Sequence, residues 1–402
     1  MRLAILAFGF APRGYMPPAR VRAMLAEAAL QGVQLAFLDS RDCEAGPAPG
    51  EGDGPPDGPP DGLFGEVWDG AGFTRRALGW PQVVFTLGLV LDAAAHALIA
   101  RCRARGAVVL VEMGPDKLGF DALLAAAPDL APHRIPTAAL DPAGAARQLA
   151  AWAVAEGALV VKPADGRRGG GLFFLDRVAE GAGPWRLRRD AEEWHLPLEA
   201  AVAELLRRIR GRMAYRPYLV QRYVTALARD GRAADLRLHV QRGAEGAWGL
   251  TRAYVRLGEC GLPLSNVSRG GYQGELPGFL AGRSRPAAAL EAEATALALR
   301  AARHLTRHAC PEASEWGIDL VLDRADHFWL LEANTHPGTA LHEHERAVHS
   351  IAYARYLAHA ARAVPGGVPG GGPGSAQEDA EEDVQEDAQG DVQGGMPAEA
   401  LA

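Results

Sequence analysis

Residues 158–171 read Ala-Leu-Val-Val-Lys-Pro-Ala-Asp-Gly-Arg-Arg-Gly-Gly-Gly, an apolar strand that ends on a lysine and opens into a glycine-rich loop. Glycines in series let the following backbone come close to a ligand. The lysine narrows the choice of ligand. The chain has two lysines, Lys117 and Lys162, against forty arginines. A composition bias that writes cations as arginine leaves lysine only where the two are not interchangeable, unless both survive by drift. Lysine offers a compact ammonium on a flexible stem, arginine a planar fork. A compact point charge suits a nucleotide phosphate.

At 402 residues and 48% hydrophobic, the chain can bury a large core spread over two or three domains. No apolar run reaches the length of a membrane span. The start, Met1-Arg-Leu-Ala-Ile-Leu-Ala-Phe-Gly, reads as a first buried strand rather than a signal peptide. Cys43, Cys102, Cys260 and Cys310 are scattered without metal-ligand spacing, which points to a reducing cytoplasm. The formal net charge of −7 is a property of the end of the chain. Residues 365–402 hold nine acids and no base, which leaves 42 basic and 40 acidic residues in the body. There is no global basic field for nucleic acid. The tail is Gly/Pro-rich, then acidic, and is expected to be disordered, while residues 46–62 read as a flexible surface loop.

Between these segments strands and helices alternate. Strands are expected at Arg2–Phe8, Val33–Leu38, Gln82–Leu87 and Ala107–Glu112, with helices at Pro17–Gln31 and Ala93–Arg105. This pattern predicts an α/β doubly wound domain over residues 1–113. Beyond it, helices are expected from Pro115, over Pro142–Glu156 and Ala287–His308, and roughly over His344–Val364. Strands are expected at Leu172–Leu175, Tyr218–Val224, Leu236–Gln241, Gly249–Leu257, Gly317–Leu322 and Phe328–Ala333. Arg186, Arg188 and Arg189 read as a solvated turn. The histidines around His342 lack ligand spacing for zinc.

The second half carries the chemistry. Ser314-Glu-Trp-Gly-Ile-Asp319 and His327-Phe-Trp-Leu-Leu-Glu332-Ala-Asn334 read as two strands of a hairpin. Glu332 and Asn334 are two apart and share a strand face, with Asp319 on the neighbouring strand. Two carboxylates and an amide oxygen form a hard oxygen set, suited to Mg²⁺ shared with phosphates. The same residues also suit ordinary polar strand ends.

From about residue 114 to 345 a series of motifs resembles the ATP-grasp superfamily in its glutathione-synthetase-like arrangement, and more narrowly the YheC/YheD endospore coat-associated family. Asp116-Lys117-Leu-Gly-Phe, with the later Arg-Ile-Pro-Thr137, resembles that family's opening helix and following strand. Val161-Lys162-Pro with Gly169, Gly170 and Gly171 resembles the phosphate-covering hairpin. Leu219-Val-Gln221-Arg222-Tyr223-Val224 resembles the adenine-binding hinge. Asp235-Leu-Arg237, Arg256 and Ser265-Asn266 through Gly270-Gly271 resemble the central catalytic strands, and Glu332-Ala-Asn334-Thr-His-Pro-Gly338 the metal-binding strand.

The resemblance implies a doubly wound pre-ATP-grasp domain followed by α+β ATP-grasp subdomains at 114–217 and 218–364. ATP would lie between them. Lys117, Lys162 and the loop amides would hold its phosphates, and Gln221–Val224 its adenine, with Asp235 nearby. Asp319, Glu332 and Asn334 would hold Mg²⁺ or Mn²⁺. Arg237, Arg256 and Asn266 would stabilise charge during transfer. The implied activity joins a small-molecule or peptide carboxylate to an amine through an acyl phosphate. A non-catalytic coat-associated protein keeping the fold, and a small-molecule kinase, stay open as alternatives. So do a homodimer and association with the spore coat, besides a cytoplasmic location. Tyr272 stands where many glutathione-synthetase-type members carry arginine, so the substrate does not carry over.

Overall fold

Alternate apolar residues in the first strands face opposite ways and recruit helices from both ends of the chain. The computed structural model describes residues 1–42, 63–88, 90, 93–166, 170–178, 184–265, 271–339 and 341–363. The expected loop at 46–62, the tail, Gly169 and Asn266 lie outside the described residues. Within residues 1–110 the elements are β1 (Arg2–Ala7), α1 (Pro12–Tyr15), α2 (Pro18–Leu30), β2 (Gln34–Asp39), β3 (Phe64–Trp68), β4 (Phe73–Ala77), β5 (Val83–Leu87), α3 (Ala93–Ala104) and β6 (Val108–Leu110). The sheet order is β4-β3-β2-β1-β5-β6. Strands β2, β1, β5 and β6 run parallel, while β3 and β4 form an antiparallel hairpin on the β2 edge. The sequence pattern had not marked that hairpin, because β4 (Phe-Thr-Arg-Arg-Ala) is mostly polar and exposed.

Ala4, Leu6, Ala36, Leu38 and Val84 pack on Leu98, Ile99 and Cys102 of α3. Leu3, Ile5, Leu35, Phe37 and Val83 form the other face and pack on Val21 and Met24 of α2. The same core includes Ala347, Ile351, Ala354 and Leu357, from a helix at the far end of the chain.

A second layer follows: α4 (Lys117–Ala126), β7 (Thr137–Ala139), α5 (Ala145–Glu156), β8 (Ala158–Pro163), β9 (Phe173–Arg177), β10 (Trp185–Arg189), β11 (Glu192–Leu196), α6 (Leu198–Met213) and β12 (Tyr218–Arg222). Its antiparallel sheet has the order β11-β10-β9-β8-β12-β7. Leu149 and Ala153 of α5 and Leu205 and Ile209 of α6 cover Leu159, Val161, Phe173 and Leu187. Helix α5 stops at Gly157, whose φ of 72° is left-handed and whose N–H bonds Ala153 O at 2.9 Å. Arg186 and Arg188 stand on β10, not in a turn, and both bond Asp176 of β9, at 2.7 and 2.9 Å.

The third layer contains β13 (Ala234–Arg242), β14 (Trp248–Leu257), β15 (Tyr272–Glu275), α7 (Leu276–Leu280), α8 (Ala287–His308), β16 (Glu315–Leu322), β17 (Phe328–Asn334) and α9 (Glu343–Ala363). The sheet is antiparallel in the order β15-β14-β13-β16-β17. Leu236, Leu238, Ile318 and Leu320 pack on Leu297, Ala301 and Leu305 of α8, and Phe120 and Leu124 of α4 join this core. The molecule is therefore a mixed α/β assembly of three sheets among the described residues. Helix α9 leaves the third sheet and closes the first.

Candidate active site

Strand β13 alternates leucine or valine with polar residues, and so does its neighbour β16 in part. Its partners are in register: Arg237 with Asp319, His239 with Gly317, Gln241 with Glu315. Across β16, Asp319 pairs with Glu332 and Gly317 with Asn334. Across β14, Asp235 pairs with Arg256 and Arg237 with Tyr254. Directly opposite residues in an antiparallel sheet share a face. One face of this sheet thus carries a polar row, Tyr254–Arg237–Asp319–Glu332, while the other is the leucine core under α8. The row is largely shielded from water: Asp235, Arg237 and Asp319 are all buried.

Buried charges persist only when paired and hydrogen-bonded. Here Arg237 clasps Asp319 through Nε and through Nη2 at 2.9 Å. Arg256 donates Nη2 to Asp319 at 2.8 Å and Nε to Asp235 at 2.5 Å. The Ser265 hydroxyl donates to the remaining Asp235 oxygen. Burial works against the Asp319 charge, but the two guanidiniums hold its carboxyl below the usual range. For Asp235 burial prevails and raises the carboxyl despite Arg256.

The lysines approach the same row from the second layer. Lys117 opens α4, where the Asp116 side chain caps the helix by accepting the Gly119 N–H at 2.8 Å. Its backbone N–H bonds Ala164 O at 3.2 Å and its ammonium bonds Gly166 O, which ties the helix start to the end of β8. The ammonium also lies 3.6 Å from Glu332. Lys162 is buried and donates to Gln221 Oε1 at 2.8 Å; Gln221 Nε2 in turn donates to Thr137 Oγ1 at 2.8 Å. Burial lowers Lys162 to about 8, opposed by Glu332 and reinforced by Lys117. Gly170 and Gly171 follow in the loop, Gly171 at a left-handed φ of 73° that admits glycine readily. The expected hinge segment Leu219–Val224 is β12 and the two residues after it: the N–H groups of Arg222 and Tyr223 bond Pro136 O and Ala158 O at 3.0 and 2.9 Å, and Val224 lies just beyond. The Tyr223 hydroxyl donates to Pro263 O at 3.0 Å.

The structure therefore gathers Lys117, Lys162, Arg237, Arg256, Asp235, Asp319 and Glu332 around one polar face, with Asn334 beside them on β17. Sequence reasoning overlooked the side chains of Thr137, Tyr254 and Ser265. Thr137 and Ser265 lie inside the quoted motifs without a role assigned to them, and Tyr254 lies two residues before Arg256, which was its only signal. Among the described residues no group of three His, Cys, Asp or Glu is arranged to hold a metal by itself. Asp319, Glu332 and Asn334 are hard oxygen donors of the kind a divalent cation shared with phosphate takes, and both Asp319 oxygens are held here by Arg237 and Arg256.

A family model for YheC/D-like ATP-grasp proteins matches residues 109–361. The site and the three-layer fold thus define an ATP-grasp protein. The chain belongs to the YheC/D-like ATP-grasp family. It is 26% identical over 215 residues to the endospore coat-associated protein YheD of Bacillus subtilis (strain 168), a match covering 51% of this chain and 47% of YheD. The chain thus spans about half the length of that curated relative. Among solved structures, the D-cycloserine synthetase DcsG is 18% identical with a TM-score of 0.48, covering 90% of this chain and 100% of that one. D-alanyl-alanine synthetase A of Vibrio cholerae is 12% identical with a TM-score of 0.49, covering 90% and 98%.

Proposed function

We propose that this chain is an ATP-dependent ligase that activates a carboxylate as an acyl phosphate and joins it to an amine. The observation that carries the reading is the Lys117 ammonium 3.6 Å from Glu332, with the buried Lys162 held by Gln221 close enough for its charge to feel both, next to the Arg237–Asp319–Arg256 network. Lys117 and Lys162 would neutralise the β- and γ-phosphates, and the Gly170–Gly171 amides, with Gly169, would cap them. Backbone groups of Gln221–Val224 would take the adenine edge. Asp319, Glu332 and Asn334 would hold Mg²⁺, which when bound supplies charge neutralisation and alignment of the γ-phosphate. Arg237 and Arg256 would exchange Asp319 for the transferred phosphoryl oxygens, which frees Asp319 for the ion. The carboxylate oxygen of the substrate attacks the γ-phosphorus and ADP leaves. The amine then attacks the acyl carbon, phosphate leaves, and the amine proton passes to solvent or to a nearby base. Asn266 belongs with this group by its sequence position.

The test is a screen for acceptor-dependent ADP release with product mass as the readout. A product heavier than the carboxylate substrate by the amine less one water supports the ligase. A product carrying only phosphate makes the protein a kinase. ATP binding with no turnover for any acceptor favours a coat-associated protein that keeps the fold, a reading the YheD relationship motivates. No helix among the described residues is long and apolar enough to cross a membrane.

A further inference from the structure

The polar face of the third sheet continues past the nucleotide end. At the start of β16, Glu315 shares a face with Asp319 and stands four residues away, about 13 Å along the strand. There the strand meets the ends of β1 and β5 and the turn after β17, and a small pocket opens. Ile5 and Phe85 wall it on the apolar side, and Arg20, Glu112, Glu315 and His336 on the polar side. Its inner void is about 20 Å³, room for one water or one oxygen of a carboxylate reaching in from the open side.

Arg20 reaches this pocket from α2. Its Nε is buried without a hydrogen-bond partner. Its carboxylate neighbour Glu315 lies 3.9 Å from Nη2. Glu315 is already engaged by Arg346, through Nε at 2.7 Å and through Nη2, and by His239 at 3.1 Å. Buried guanidiniums are normally held by close, forked hydrogen bonds, so this one is under-partnered. Burial lowers it to about 10, which leaves it cationic at neutral pH. Opposite, Glu112 accepts the Ser314 N–H and lies 3.5 Å from His336. Burial and then Glu315 push the Glu112 carboxyl up to about 8, so that near neutrality it carries a proton it can donate. Pro337, the residue after His336, packs over Gly317 beside Arg237, so the pocket adjoins the reaction face.

We propose that Arg20 reads a carboxylate of the substrate pair remote from the reacting atoms, making this pocket a specificity site. The inference rests on the ligase reading. Two sources share the chemistry: the α-carboxylate of an amino-acid or peptide acceptor, or the second carboxylate of a dicarboxylic donor.

The experiment uses the full chain with Mg²⁺ and a non-hydrolysable ATP analogue, and calorimetry of acid–amide pairs: diglycine against diglycinamide, and glutarate against its monoamide. The expected result is a tenfold or greater preference for the acid in one pair, and that pair identifies the source. Arg20→Gln should remove the preference, Arg20→Lys should keep part of it, and both should bind the ATP analogue like the parent. Equal binding of acid and amide in both pairs overturns the proposal, as does a preference that survives in Arg20→Gln. If Arg20→Gln does not fold, the comparison of the parent with Arg20→Lys decides, and an unchanged preference overturns it. Loss of analogue binding by the parent sinks the ligase reading instead, and leaves any acid preference standing.

Discussion

Arg237 and Asp319 are register partners on adjacent strands, and their side chains close on each other in a two-point clasp that Arg256 completes from the next strand. The clasp gives Asp319 a structural role, whereas Glu332, 31% exposed at the side chain, stands at the open margin. The two carboxylates should therefore respond differently to the same loss of charge.

Asp319→Asn leaves two buried guanidiniums short of their counter-charge. Breaking a buried pair from one side costs about 3–5 kcal/mol. Chemical denaturation should show a loss of that size, and a variant as stable as the parent would contradict the clasp.

Glu332→Gln should fold normally, with equal or slightly higher stability. Phosphoryl transfer should fall by about a hundredfold or more if Glu332 holds the ion proposed for the γ-phosphate. Turnover like that of the parent would remove Glu332 from the mechanism.

Lys162→Arg keeps the charge but puts a planar fork into a buried slot bounded by Gln221. Activity should drop by about two orders of magnitude, with a comparable effect at Lys117→Arg. If both variants turn over ATP normally, the rarity of lysine in this chain has no functional meaning.

Glu112 sets a pH dependence. Its carboxyl, raised to about 8 when folded, binds a proton that the unfolded chain releases near pH 4.5. Its contribution is fully present below pH 4.5 and declines as pH rises towards 8. The melting temperature of the parent relative to Glu112→Gln should thus fall between pH 5 and 8. A difference that rises or stays flat would show that Glu112 is ionised in the fold.

Ile351→Ala on α9 should cost about 2–5 kcal/mol, because Ile351 is fully buried against the first sheet. Removing residues 365–402 should shift the melting temperature by no more than about a degree. A large shift on truncation would mean that the tail docks on the body.

Much of this was legible because single residues announced it. The alternation in Leu236–Gln241 fixed both the core face and the polar face of β13. The spacing of Glu332 and Asn334 placed them together, and Asp319 opposite Glu332 followed from a short hairpin. Less visible was that the polar face would be buried. A strand that alternates leucine with arginine and histidine looks half-solvated, and only the return of α9 shows otherwise. Hairpin β3–β4 and strands β10 and β11 escaped because arginine and glutamate dominate their exposed sides. Arg20 gave no local sign, since its neighbours come from residues 5, 85, 112, 315 and 336.

The path of α9 reaches back to synthesis. A ribosome delivers β1 well before α9, and domains generally fold as units while the chain is being made. Here one face of the first sheet is completed by Ala347, Ile351, Ala354 and Leu357. Residues 343–363 must be made before Leu3, Ile5 and Phe37 can be fully covered. The first sheet is thus completed only after the strands of the two later sheets have been made, and a nascent chain stalled before α9 should carry an open apolar surface for chaperones to hold.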